Sequence, residues 1–112
     1  MLAATLNVPN TDTEWSLWSL NNYTVVNAIR AAVLAQKNIT LPEYQIEPIP
    51  WNDLETWLNN NQQAHNDFNA ALGLQSSDIL HTNLKDPNER ALWVYLNYME
   101  LSNACQTLAI GP

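Results

Sequence analysis

From Asn22 to Lys37 the apolar residues Val25, Val26, Ile29, Ala32 and Val33 fall on one side of a helical period, and Asn27, Arg30 and Lys37 fall on the other. The spacing predicts a helix, with Asn21 or Asn22 placed to accept from an unpaired first-turn amide. A second helix is signalled by Asn52 as cap and Glu55 three residues on, ahead of the seam Leu54, Trp57, Leu58, Asn61, Ala64, His65, Phe68, Ala71 and Leu72. Two polar residues, Asn61 and His65, interrupt that seam. Gly73 then suits the left-handed position that ends a helix. The third helix opens with Asp86 as cap, Pro87 at the first position and Glu89 completing the capping pattern, and continues to about Leu108.

The segments between these helices have other signatures. Pro42, Pro48 and Pro50 each remove an amide donor and push the preceding residue toward extended backbone. Residues 39–50 are therefore expected to form an extended strap, pinned to the helices by Leu41, Tyr44, Ile46 and Ile49. Ser76 to Leu80 is expected to make one helical turn before a polar loop. Met1 to Asn10 shows no sustained period, and Asp12 to Leu20 pairs Trp15 with Trp18 and Leu17 with Leu20 without a helix of convincing length. Asp12 to Leu20 therefore reads as an irregular aromatic segment or a short helix, within an N-terminal arm or docking segment of residues 1–20 ahead of a helical core of 21–110. Together these make a single all-α domain, a three-helix bundle with an extended Pro-rich connection.

The third helix changes the picture of burial. Leu92, Leu96 and Met99 line one side of it and Ala91, Val94, Tyr95, Tyr98, Leu101 and Cys105 another, leaving a narrow polar stripe of Arg90, Asn97, Glu100, Asn103 and Thr107. A helix so apolar is either central to its bundle or covered by a second chain. The aromatic pairs Trp15 with Trp18 and Tyr95 with Tyr98 pose the same choice between core and partner contact.

Composition narrows the chemistry. A chain of 112 residues fits one domain, and its 46% apolar residues argue against disorder. A net charge of −7 with only four scattered cations supplies no basic stripe, so nucleic-acid binding is not expected. No export signal or membrane-spanning run is recognisable, so the expected setting is a reducing cytoplasm, in which the two glycosylation sequons carry no meaning. Two glycines leave no phosphate-cradling loop, and Gly73-Leu74-Gln75-Ser76 lacks the spacing of a nucleophile elbow. Cys105, the single cysteine, reads as a small core residue. His65-Asn66-Asp67, with His81 a loop away, is the one cluster suggesting proton or metal chemistry. Against it, His65 lies on an apolar seam, and residues two apart on a helix point in different directions. No catalytic residue, cofactor or metal is therefore expected.

Trp57-Leu58, His65-Asn66-Asp67-Phe68-Asn69, Leu72-Gly73, Leu84-Lys85-Asp86 and the helix bearing Trp93 carry a resemblance. Over roughly Trp15 to Ile110 the chain resembles short helical proteins encoded among the structural genes of tailed bacteriophages. The resemblance implies a non-enzymatic virion subunit, capsid-associated or in the portal and neck region. It would be assembled in the host cytoplasm in multiple copies, touching other virion proteins and neither nucleic acid nor membrane. Partner contact is then expected at Trp15, Trp18, Tyr95 and Tyr98. The charge by itself suggests a different role, an acidic cytoplasmic regulator or inhibitor binding a basic partner.

Overall fold

A computed structural model describes residues 6–47, 54–77 and 86–111. Three helices account for most of them: α1 over Asp12–Lys37, α2 over Leu54–Leu72 and α3 over Pro87–Leu108. No strand occurs among the described residues, and the three-helix, all-α expectation holds.

The first helix begins ten residues earlier than its periodicity predicts, and the arm assigned to residues 1–20 shrinks accordingly. Its cap is Thr11, whose Oγ1 accepts from the Glu14 amide at 3.1 Å, while Glu14 Oε2 accepts from the Asn10 amide at 2.9 Å. Asn21 and Asn22 lie inside the helix and cap nothing. Two adjacent amides break the apolar pattern there, yet tertiary contacts carry the helix through them. Trp15 and Trp18, beyond the expected start, are both buried in the core.

The other ends follow their local chemistry. Gly73 takes φ 72°, its amide donating to the Ala70 carbonyl and that of Leu74 to the Asn69 carbonyl, a Schellman closure of α2. Asp86 caps α3 through the Asn88 amide, with Pro87 at the first turn. α3 ends at Leu108 as expected and closes at Ala109, which occupies the left-handed region at φ 55° without a glycine's freedom. Ser76 and Ser77 are not helical, and the rest of the turn expected there, Asp78 to Leu80, lies outside the described residues. Asn52, Ile49 and the loop through His81 lie outside the described residues.

Contacts between the helices fix their directions. Trp15 and Trp18 of α1 meet Trp57 of α2, Trp18 also meets Trp93 of α3, Asn22 meets Asn61 and Asn97, and Gln36 donates to the Leu108 carbonyl at 2.7 Å. Early residues meet early ones and late meet late, so all three helices run parallel. Neighbouring parallel helices require the chain to travel back between them. Returning along α2, 19 residues and about 28 Å long, takes about nine extended residues, and each connection is longer than that.

The proline-rich strap makes the first return, in the groove between α1 and α2. Leu41 and Ile46 bury their side chains there. Arg30 of α1 donates to the Leu41 carbonyl and to Glu43 Oε1, both at 3.2 Å. α2 holds the rest through Tyr44 to Asp67 at 2.6 Å, Asn60 to the Gln45 carbonyl at 2.9 Å and the Trp57 indole to the Ile46 carbonyl at 3.1 Å. As the strap advances from Tyr44 to Ile46, its partners step back from Asp67 to Trp57. It therefore runs antiparallel to α2, as a return must. The second return begins between α2 and α3, where Ser76 and Ser77 contact Asn69 and Glu100.

Thr11→Ala removes the acceptor that starts α1 and is expected to cost about 1 kcal/mol in urea unfolding. An unchanged midpoint would show that the helix does not depend on beginning at Thr11.

Candidate functional site

The parallel alignment brings one residue pair to the same level on each helix. Trp18, Trp57 and Trp93 form a triangle with ring centroids 6.0, 5.3 and 5.6 Å apart. One turn further along lie Asn22, Asn61 and Asn97, all buried. Asn22 Nδ2 donates to Asn61 Oδ1 at 2.8 Å, Asn61 Nδ2 to Asn97 Oδ1 at 2.9 Å, and Asn97 Nδ2 to Asn22 Oδ1 at 3.0 Å. The three amides close a ring in which each gives one hydrogen bond and takes one. A buried amide is costly unless satisfied, and here each depends on both of the other helices.

A sequence repeat underlies this geometry. An acidic residue, three others, Trp, three others and Asn occur as Glu14-Trp18-Asn22, Asp53-Trp57-Asn61 and Glu89-Trp93-Asn97. The asparagines are separated by 39 and then 36 residues. Reading the helices singly hid the repeat, and with it the roles of Asn22, Asn97 and Trp93.

The next polar level is asymmetric. His65 of α2 is wholly buried, its Nδ1 lying 2.8 Å from Glu100 Oε1 of α3. Asn69 Nδ2 donates to the same oxygen at 3.0 Å, and the Ser77 backbone amide donates to Glu100 Oε2. Burial pushes the Glu100 carboxyl up, but its bonds from His65 and Ser77 outweigh burial and hold it below the ordinary carboxylate range. His65 Nε2 is buried without a hydrogen-bond partner, and its ring lies against Phe68 at 4.9 Å.

This polar interior corrects the stripe expected on the third helix. Arg90, Asn97 and Glu100 are buried, whereas Asn103 and Thr107 are exposed. The helix is not central either, since it stands at one corner of a triangle, and Leu92, Tyr95 and Met99 point outward. Arg90 is held by the segment before α1, donating to the Pro9 carbonyl at 3.2 Å and to Asn10 Oδ1 at 3.1 Å.

The four residues assigned to partner contact divide. Trp15 and Trp18, for which core and partner contact were the two readings, are buried in the core and stacked on each other at 5.4 Å. Tyr95 is half exposed and Tyr98 partly so. His65 and Asp67 do diverge, one turning inward to Glu100 and the other outward to the strap's Tyr44, whose hydroxyl is raised by that hydrogen bond. Cys105 is buried, and burial pushes its thiol up. His81 lies outside the described residues. Among the described residues, no group of three His, Cys, Asp or Glu side chains is placed to hold a metal ion, and no helix is long and apolar enough to cross a membrane.

In chemical terms, His65 with Glu100 is a base beside an orienting carboxylate, but it is walled in. Neither the cleft beneath the strap, lined by Tyr23, Arg30 and Tyr44, nor the cleft beside Trp18 reaches it. The arrangement does structural work, holding α2, α3 and the start of the second return together at one carboxylate.

Two predictions follow from the buried polar levels. Asn97→Ala strands the Asn61 donor and the Asn22 acceptor and is expected to cost about 2–4 kcal/mol, whereas replacing all three asparagines with Leu should recover most of that loss. Chemical denaturation of the two variants measures both, and equal stability of Asn97→Ala and wild type would remove the ring from the account. For Glu100, a folded pKa below the unfolded value of about 4.3 gives stability that is present above that pH and lost as pH falls through the folded value. The stability gap between wild type and Glu100→Gln should thus be full near about pH 6 and shrink below about pH 4. A gap independent of pH would contradict it.

Comparison with family models, with curated proteins and with solved structures finds no match to this chain.

Proposed function

We propose that the chain is a non-enzymatic structural subunit of a tailed-phage virion, capsid-associated or in the portal and neck region. It works through contact with neighbouring protein chains. The observation that carries this reading is the outward face of α3. Leu92, Tyr95 and Met99 lie three and four residues apart there, and Leu92 and Tyr95 are 54% and 50% exposed. That spacing is the seam with which one helix packs on another.

The repeat sharpens the point. Leu17 and Leu20 hold the corresponding outward positions on α1 and are also exposed. On α2 the same positions are Thr56, Asn59 and Gln63, an ordinary solvated face. Two corners of the triangle thus carry apolar side chains to the surface and the third does not, which favours a partner on the α1 and α3 sides. The resemblance to phage structural proteins supplies the kind of assembly.

Purified particles should contain the chain in fixed proportion to the major structural proteins, as read by quantitative mass spectrometry. Leu92→Lys combined with Tyr95→Lys should leave the unfolding midpoint within about 0.5 kcal/mol of wild type, because both positions are exposed, yet remove the chain from particles. Particles lacking the wild-type chain, or incorporating the double variant at the wild-type level, would end the proposal.

A further inference from the structure

The charge of this chain is unevenly placed. Four exposed acids stand at one end of the bundle, Asp12 and Glu14 of α1, Glu55 of α2 and Glu89 of α3, all in the first turns of three parallel helices. Along α3 the opposite holds. Of its three ionisable acid and base side chains, Arg90 and Glu100 are buried, so Glu89 is the single charge on its outer side. Beyond it the exposed side chains are apolar at Leu92, Tyr95 and Met99, then uncharged and polar at Asn103, Gln106 and Thr107. A basic partner finds no acid to pair with past Glu89, and an acidic partner gains nothing there. The occupant this face fits is an uncharged helix.

Direction narrows the occupant further. Three helices running the same way add their dipoles, and neither α2 nor α3 has a basic residue in its last turn to offset the negative end. A second copy laid alongside in the opposite sense opposes the two sets of dipoles and keeps the two acidic ends apart. A copy laid in the same sense would bring Glu89 to Glu89.

We propose that the outer side of α3 binds a second copy of this chain, antiparallel, about a twofold axis passing between Tyr95 and Leu96. A twofold contact joins one surface to itself, and this surface is complementary to its own reverse. Leu92 rests on the other copy's Met99, Tyr95 on its Leu96, and Glu89 lies beside the hydroxyl of its Ser102 and the amide of its Asn103. The helices overlap for about five turns, roughly 27 Å, with axes about 8–10 Å apart, and bury on the order of 1,000 Å² in all. That is the lower limit of a specific interface and makes a weak, reversible dimer. The inference shares its face with the virion reading and names the neighbour there as a like chain, but it rests on charge and helix direction.

The test is sedimentation equilibrium of the full chain. It should show monomer and dimer exchanging with a dissociation constant on the order of 100 µM, so that the dilute solutions of an unfolding experiment hold monomer. Tyr95→Lys should weaken the dimer at least tenfold, whereas Asn59→Lys, at the corresponding position of α2, should leave it unchanged. Both positions are exposed, so both variants keep the fold. Raising salt from about 50 to about 500 mM should tighten the dimer, because it screens one net charge of −7 from the other. Spin labels on Thr107→Cys, with Cys105 buried and unlabelled, should lie about 35 Å apart across the dimer. A chain that stays monomeric at millimolar concentration overturns the proposal. So does a dimer that Tyr95→Lys spares, that Asn59→Lys or salt dissolves, or that holds the labels within about 15 Å of each other. Dimerisation is read on the purified chain and incorporation on particles, so either reading can fail while the other stands.

Discussion

Three buried asparagines, one from each helix, hold this fold in register. Their amides form a closed cycle, so each helix is at once a donor to one neighbour and an acceptor from the other. Sliding any helix by a turn would break two of the three bonds and bury unpaired amide groups. Alternatives are therefore penalised more strongly than the native state is stabilised. A polar residue in the core of parallel helices is known to select register at some expense in stability, and here the device is built within one chain. The tryptophan triangle beside it supplies the apolar burial that the amides do not.

From that registration the unusual parts of the topology follow. Parallel helices place three positive dipole ends together, and the first turns carry acid there: Asp12 and Glu14 on α1, Glu55 on α2, Glu89 on α3. Part of the chain's negative charge is thus explained by the fold itself. Parallel packing also demands long returns, and these do more than connect. The strap caps the α1–α2 groove with Leu41 and Ile46, and the second return delivers the Ser77 amide to Glu100.

Polar residues that suggest chemistry are thereby committed to structure. His65 and Glu100 are matched to each other inside the bundle, with Asn69 and Ser77 completing the carboxylate's set of donors. The exposed apolar side chains lie outside, among them Leu17 and Leu20 of α1 and Leu92, Tyr95 and Met99 of α3, while α2 turns Thr56, Asn59 and Gln63 to solvent at the corresponding positions.

Local signals in the sequence determined the all-α class, the strap, the glycine stop after Leu72 and the Asp86-Pro87 start, because each depends on the backbone preferences of a few adjacent residues. The proline-rich return was itself a trace of parallel packing, since antiparallel neighbours are joined by short loops. Tertiary structure alone decided the rest. The first ten residues of α1 are helical because Trp15 and Trp18 find Trp57 and Trp93, and the pattern breaks at Asn21-Asn22 only when burial is assumed to exclude amides. Asn97, Glu100 and Arg90 looked like a solvated stripe for the same reason. A polar side chain belongs inside when partners from other segments meet it there, and no single helix contains that information.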